Sequence, residues 1–247
     1  MAKKKKIINP FEGNGTVRIN RYLSSAGYCS RRQADKFIEE GKVTIDGKVA
    51  TLGGQVSSNQ KVKVNGRLVS YVEELILIAF NKPVGIECTE DKSVANNIID
   101  FIDYGKRISY IGRLDKESEG LILLTNDGDL NQLIAKGSNY HEKEYIVKVN
   151  KPISPKFLEG MAGGVPILDT VTRPSKIKSI DKYTFRIIIT QGLNRQIRRM
   201  CEYFDYKVIN LKRVRIMNIT LGHLQIGSYR NVSQKELEKL KEMIVDS

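Results

Sequence analysis

Asp115 and Arg113 stand two residues apart in a segment bounded by Gly112 and Gly120. A carboxylate beside a guanidinium stays ionised, and paired hydrogen bonds can fix its direction, so Asp115 is a candidate nucleophile or general base. An Arg-Leu-Asp triplet also occurs as an exposed ion pair on a surface turn, and the local sequence leaves both readings open. Leu121–Thr125 is a short apolar run closed by Asn126-Asp127-Gly128. It reads as a strand ended by a turn, which puts Asp115 at a mobile strand entrance.

Two more segments carry groups able to act with it. Tyr145 opens an alternating run that ends at Val149, where a tyrosine is ordinarily a core or cross-strand residue. In Gln191–Phe204 the residues Ile197, Met200, Cys201 and Phe204 follow helical spacing and are expected to face the core, turning Arg195, Arg198 and Arg199 the other way. Three arginines on one helix call for an anion. Glu202 offers Arg198 or Arg199 an ordinary partner one turn away.

The elements that must position these groups divide the chain. After a basic, glycine-containing arm over 1–16, a helix is expected around Ile19–Ser24, and a second opens at Ser30, with Gln33 at capping-box spacing. Asp46-Gly47 and Asn65-Gly66 are hairpin turns between short β-rich runs. Arg31 and Arg32 oppose the dipole of the second helix from its first turn, which folding alone does not favour, so a phosphate contact explains them better than solvated charge does. A short acidic linker near 72–75 leads into strand-like runs at Ile76–Phe80, Leu121–Thr125, Tyr145–Val149, Phe185–Thr190 and Lys207–Leu211. These alternate irregularly with helical segments at Asp129–Lys136, Pro155–Ala162, Arg195–Phe204 and Gln234–Val245. A mixed α+β sheet domain is the natural outcome.

Composition points to a polyanionic partner. The 41 Lys and Arg outnumber 28 Asp and Glu, leaving +13 on 247 residues, with 14 basic against 6 acidic side chains in residues 1–73 alone. The 40% of apolar residues suffice for one large or two modest cores. Cys29, Cys88 and Cys201 are widely spaced, with only His141 and His223 as imidazoles, so neither a metal site nor a disulfide framework is expected. The Lys3–Lys6 run lacks a following apolar stretch, and no run approaches 18 apolar residues. No secretory signal or membrane span is expected, and the cytoplasm is the default compartment.

GRLDKESEGLILLTNDG, residues 112–128, resembles the signature block of the RsuA-like family of ribosomal RNA pseudouridine synthases, with Ile122 as a conservative departure. Residues 75–234, including the segments around His141–Tyr145, Gly192–Tyr203 and Arg215–Asn218, resemble its RluF branch, and residues 17–64 resemble the S4 RNA-binding module. The resemblance implies an α+β chain with a small S4 domain of helices plus hairpin over 17–72, then a mixed, mainly antiparallel synthase domain over 75–247.

It also implies site-specific isomerisation of uridine to pseudouridine in a stem-loop of 23S ribosomal RNA. Sister enzymes acting on 16S RNA or another 23S uridine, and a non-catalytic assembly factor, are the alternatives. The sequence shows no obvious oligomerising heptad or exposed apolar stripe, so a monomer is expected. The C1′–N1 bond breaks, the uracil turns, C5 joins C1′ and the C5 proton leaves, with no metal or cofactor. The site needs a carboxylate, a cation, a ring to stack on the base and a proton acceptor, and the base must leave its stack. By resemblance Asp115 is the essential carboxylate and Arg198 its ion-pair partner. Tyr145 is the stacking ring and is open to the acceptor role. Ile197 packs near the target nucleotide, and Arg113 fills the space it vacates. Arg195 and Arg199 are RNA-backbone candidates. Arg18, Arg21, Arg31, Arg32 and Lys42 are the S4 cations.

Overall fold

The computed structural model describes residues 11, 15–70, 75–136 and 140–245. Most of the arm expected over 1–16, and the linker at 71–74, lie outside them. The chain forms two compact units: residues 1–76 with 104–109 and 125–131, and the remainder.

In the first unit β1 (Thr16–Arg18) runs into α1 (Ile19–Ser25) and α2 (Arg31–Glu39), followed by β2 (Val43–Ile45), β3 (Lys48–Val49), β4 (Gln55–Ser57), β5 (Val62–Val64) and β6 (Arg67–Val69). The second helix starts where the sequence says it should. Ser30 accepts from the Gln33 amide, and the Gln33 side chain accepts from the Ser30 amide, satisfying two donors that a helix end leaves open. Asp46-Gly47 and Asn65-Gly66 take positive φ at both positions, 49° and 84°, 47° and 76°, as tight hairpin turns demand. The strands order as β3-β2-β5-β6, with β1 pairing β4 separately. Leu23, Ala34, Val43, Val56, Val62 and Val64 are fully buried at the centre, and Tyr22 donates to the Val69 carbonyl at 3.0 Å.

The second unit is built on a larger sheet. Its strands are β7 (Leu77–Lys82), β8 (Ser109–Ile111), β9 (Glu119–Thr125), β10 (Lys143–Val149), β13 (Lys176–Ser179), β14 (Thr184–Ile189), β15 (Val208–Ile216), β16 (Ile219–Thr220) and β17 (Tyr229–Asn231), with β11 (Pro166–Ile167) and β12 (Thr170–Val171) forming a small hairpin apart. The helices are α3 (Ile98–Ile102), α5 (Pro155–Gly163), α6 (Gln196–Tyr203) and α7 (Gln234–Val245), while α4 (Gly128–Ala135) has its first four residues in the first unit. The order is β13-β14-β10-β15-β9-β7-β17, with β8 beside β9 and β16 beside β15. The β15–β9 pair is parallel, while β13–β14, β14–β10, β10–β15, β15–β16 and β7–β17 are antiparallel.

The expected strand at Lys207–Leu211 proves to be the first half of the nine-residue β15. Lys212, Arg213 and Arg215 hide its continuation, because cations inside a central strand do not read as β-structure unless each finds a partner. A bulge provides for two of them. Glu144 faces Arg215 but Tyr145 faces Arg213, leaving Val214 extra, and the Val214 carbonyl accepts from the Leu221 amide at 2.8 Å. Arg213 thereby shares the face of Tyr145, and Arg215 shares that of Glu144, which it meets at 2.7 Å.

Candidate active site

A cleft of about 700 Å³ in the second unit collects the singled-out residues. The 112–118 loop, β10, β14, β15 and α6 line it, with Arg113, Asp115, Tyr145, Arg195, Ile197 and Arg198 on its walls. Arg199 is elsewhere: its guanidinium donates to the backbone and side-chain oxygens of Asn194 at 3.2 and 3.3 Å, not to Glu202.

The loop carrying Asp115 is not the free strand entrance its sequence suggests. Gly112 takes φ +65°, and the Ser118 amide closes a turn on the Asp115 carbonyl at 3.0 Å. The Gly85 amide donates to Lys116 O at 2.8 Å, and Arg198 donates to the Glu117 carbonyl at 3.1 Å and the buried Ser118 hydroxyl at 3.2 Å. From below, Arg213 donates to Leu121 O at 2.7 Å and reaches Arg113 O at 3.5 Å. Several long-range bonds thus hold a segment that looks mobile when read locally.

Arg198 Nε lies 3.8 Å from Asp115 Oδ2, and Arg195 lies at the same distance from that oxygen while bonding Glu117 at 2.8 Å. The Arg195 hydrogen bond outweighs the opposing effect of burial and draws the Glu117 carboxyl below its usual range. Arg198 is 8% exposed, so the expectation that all three arginines turn away from the core fails for this one: it is buried beside Ile197, Met200 and Cys201. Its Nε is buried without a hydrogen-bond partner, which leaves the Asp115 carboxylate as the nearest anion. Tyr145 is 7% exposed and Ile197 4%. Arg113 is exposed at the loop.

Sequence reading missed Lys82, Lys143 and Arg213. Lys82 is fully buried, donating to Pro83 O at 2.9 Å and Ile86 O at 2.7 Å, and burial lowers its ammonium pKa against the pull of Cys88 and Asp115. Arg213 is 2% exposed and has one nitrogen without a partner. Alternation along β10 contained the signal for Lys143, since a residue two before Tyr145 shares its face. No local signal marked Arg213, whose face depends on the bulge.

In the first unit Arg21 pairs with Asp129, Arg31 approaches that carboxylate at 3.8 Å, and Lys42 pairs with Glu40 at 2.6 Å. Arg18 and Arg32 are exposed and make no ion pair among the described residues. No helix among the described residues is long and apolar enough to cross a membrane.

Residues 76–203 match the family model described as RNA pseudouridylate synthase, and residues 17–62 match the S4 domain. The chain belongs to the RNA pseudouridylate synthase family. As a member of it, the protein is an RNA pseudouridine synthase with an N-terminal S4 domain. It is 52% identical over 234 residues to the dual-specificity RNA pseudouridine synthase RluF of Salmonella typhi, covering 94% of this chain and 81% of that protein. It is 36% identical to ribosomal large subunit pseudouridine synthase B of Bacillus subtilis, covering 91% and 95%. A crystal structure of a pseudouridylate synthase superposes with a TM-score of 0.66 at 30% identity, over 90% of this chain and 99% of that one. The synthase thus has the mixed, mainly antiparallel sheet fold expected of it.

Proposed function

We propose that this synthase converts one or more uridines of 23S ribosomal RNA to pseudouridine, within a structured stem-loop, with Asp115 as the carboxylate that acts at C1′ of an extruded uridine. The observation that carries this reading is Arg198. Its buried, unsatisfied Nε faces Asp115 Oδ2 at 3.8 Å, in a cleft that Tyr145 and Ile197 also line. A guanidinium so placed aims the carboxylate through its charge without a direct hydrogen bond.

Within this reading Tyr145 stacks on the uracil, Ile197 packs beside it, and Arg113 takes the place the base leaves in the helix. Arg195 meets the RNA backbone at the rim, and Arg199 does so outside the cleft. Residues 17–72 bind RNA as an S4 domain, the arm over 1–16 adds non-specific attraction, and 75–247 carry the chemistry. Among the S4 cations, Arg18 and Arg32 hold phosphates most directly, because Arg21, Arg31 and Lys42 have carboxylates beside them. In this reading the enzyme acts as a monomer, since its sequence shows no oligomerising heptad. The RluF relative, by its name, has dual specificity, and a second RNA substrate is part of the proposal.

The test incubates protein and its Asp115→Asn form with unmodified 23S RNA and maps pseudouridine by carbodiimide adducts and primer extension. Discrete stops from the unaltered protein alone, with RNA binding nearly intact in the variant, are expected. Turnover by Asp115→Asn, or no stop from the unaltered protein on 23S RNA, overturns the reading.

A further inference from the structure

Breaking the C5–H bond needs a proton acceptor, a role open to Tyr145 by its place in the cleft but one that the proposed function, which stacks this ring on the uracil, does not fill. Lys143 stands where that group is needed. Two residues before Tyr145 on β10, it projects from the same face of the sheet into the same cleft. Arg213, opposite Tyr145 across the strand pair, and Ile189, opposite Lys143, complete the floor beside it. The charged groups around the cleft are Arg213 on β15, Arg113, Asp115 and Lys116 on the loop, Glu87, which pairs with Lys116 at 2.7 Å, Arg195 at the cap of α6 and Arg198 on it. Arg195 and Arg198 each approach Asp115 at 3.8 Å, and no carboxylate pairs with Lys143 among the described residues. Its Nζ makes only a long 3.4 Å bond to the His141 carbonyl.

We infer that Lys143 is a catalytic residue of the synthase, whose neutral amine removes the C5 proton after C5 has joined C1′. The inference rests on the isomerase reading of the cleft. When the C5–H bond breaks, its electron pair forms the C5–C6 double bond, and the C6–N1 π pair returns to N1. Nζ gains the proton lost by C5, water supplies one to N1, and Lys143 then releases its proton to solvent, so the balance closes. The surroundings suit a proton acceptor, because burial, then the charge of Arg213, bring the ammonium down to about 8. About a tenth of it is then neutral at pH 7, against about one part in 3,000 for an exposed lysine. A stacked tyrosine lies flat on the base, whereas a lysine two residues along the strand can reach the ring edge.

The test compares unaltered protein, Lys143→Arg and Lys143→Met under single turnover, using RNA with uridine or C5-deuterated uridine at the mapped site. Arginine keeps the cation and its RNA contacts but cannot be a base at neutral pH. Both variants are expected to turn over about 10²-fold more slowly or worse, with a primary deuterium isotope effect absent from unaltered protein and with Lys143→Arg binding RNA normally. Near-normal turnover by Lys143→Arg would make Lys143 a phosphate-binding cation and overturn the inference. Slow turnover without an isotope effect would place its role before C5–H cleavage and overturn it too. Unaltered protein that makes no pseudouridine overturns the isomerase reading and the inference with it, whereas failure of the Lys143 variants alone to behave as expected leaves that reading standing.

Discussion

Gly120 lies directly against the backbone of Arg213: a Cβ on Gly120 would sit 2.3 Å from the Arg213 carbonyl oxygen and 2.8 Å from its nitrogen. The two residues are register partners in the parallel β9–β15 pair, and φ at Gly120 is +104°. Gly120 therefore has two independent reasons to be glycine, a backbone angle that side chains disfavour and a contact that leaves no room for one. Gly120→Ala must push β15 away and displace Arg213 from the carbonyls of Leu121 and Arg113. A shift of about 1 Å in the Asp115 loop is expected to lower single-turnover rate about 10²-fold, more than it lowers RNA affinity, and a thermal melt will show a lower midpoint.

Arg198→Lys is expected to be a poor replacement although it keeps the charge. The guanidinium reaches Glu117 O, Ser118 Oγ and the Asp115 carboxylate together, and an ammonium on a flexible stem cannot span all three. Leaving the buried Ser118 hydroxyl without its donor costs about 1–3 kcal/mol, measurable by urea unfolding. Turnover should fall further than stability explains.

RNA binding should weaken steeply with salt, and the S4 arginines should differ in what they add. Arg18→Ala and Arg32→Ala are each expected to reduce the slope of log affinity against log salt by about 0.7–0.9, the loss of one phosphate contact. Arg21→Ala and Arg31→Ala should change it less, since Asp129 already neutralises part of their charge. Equal effects at all four positions would show that the ion pairs open on binding.

Acid stability should report on Glu236. Its carboxyl is drawn down to about 2, chiefly by the two-point pairing with Arg230, helped by the Ser233 amide and hydroxyl that complete the cap of α7. A carboxyl lowered in the folded state stabilises fully above its ordinary value of 4.5 and loses that contribution as pH falls toward 2. Glu236→Gln is expected to cost about 1 kcal/mol at pH 7, allowing for the partial exposure of the pair, and almost nothing near pH 2. Urea midpoints at the two pH values check this.

Where neighbours in sequence decide the structure, the chain was legible. The Ser30–Gln33 cap, the Asp46-Gly47 and Asn65-Gly66 turns and the apolar run of β9 all rest on contacts within a few residues, and each formed as its residues predict. Asp115, Tyr145, Ile197 and Arg198 were found as separate motifs, and the fold brought them to one cleft. What stayed hidden depends on distant partners. The burial of Lys82 needs the Ile86 carbonyl, that of Arg198 needs Ser118 some eighty residues earlier, and the firmness of the Asp115 loop needs β15 beneath it. Short pieces such as α3, β12 and β17 carry too few residues to show a period.

The extra residue in β15 separates two neighbouring arginines that strict alternation would have kept together. Arg213 serves the interior of the cleft, and Arg215 joins Glu142 and Glu144 on the opposite face, in a chain of charges reaching Arg186 and Lys176. One strand thus works as a partition with independent sides. Substitutions can remodel the outer charges without reaching the chemistry, whereas gain or loss of a single residue at Val214 would exchange the sides and disable both at once.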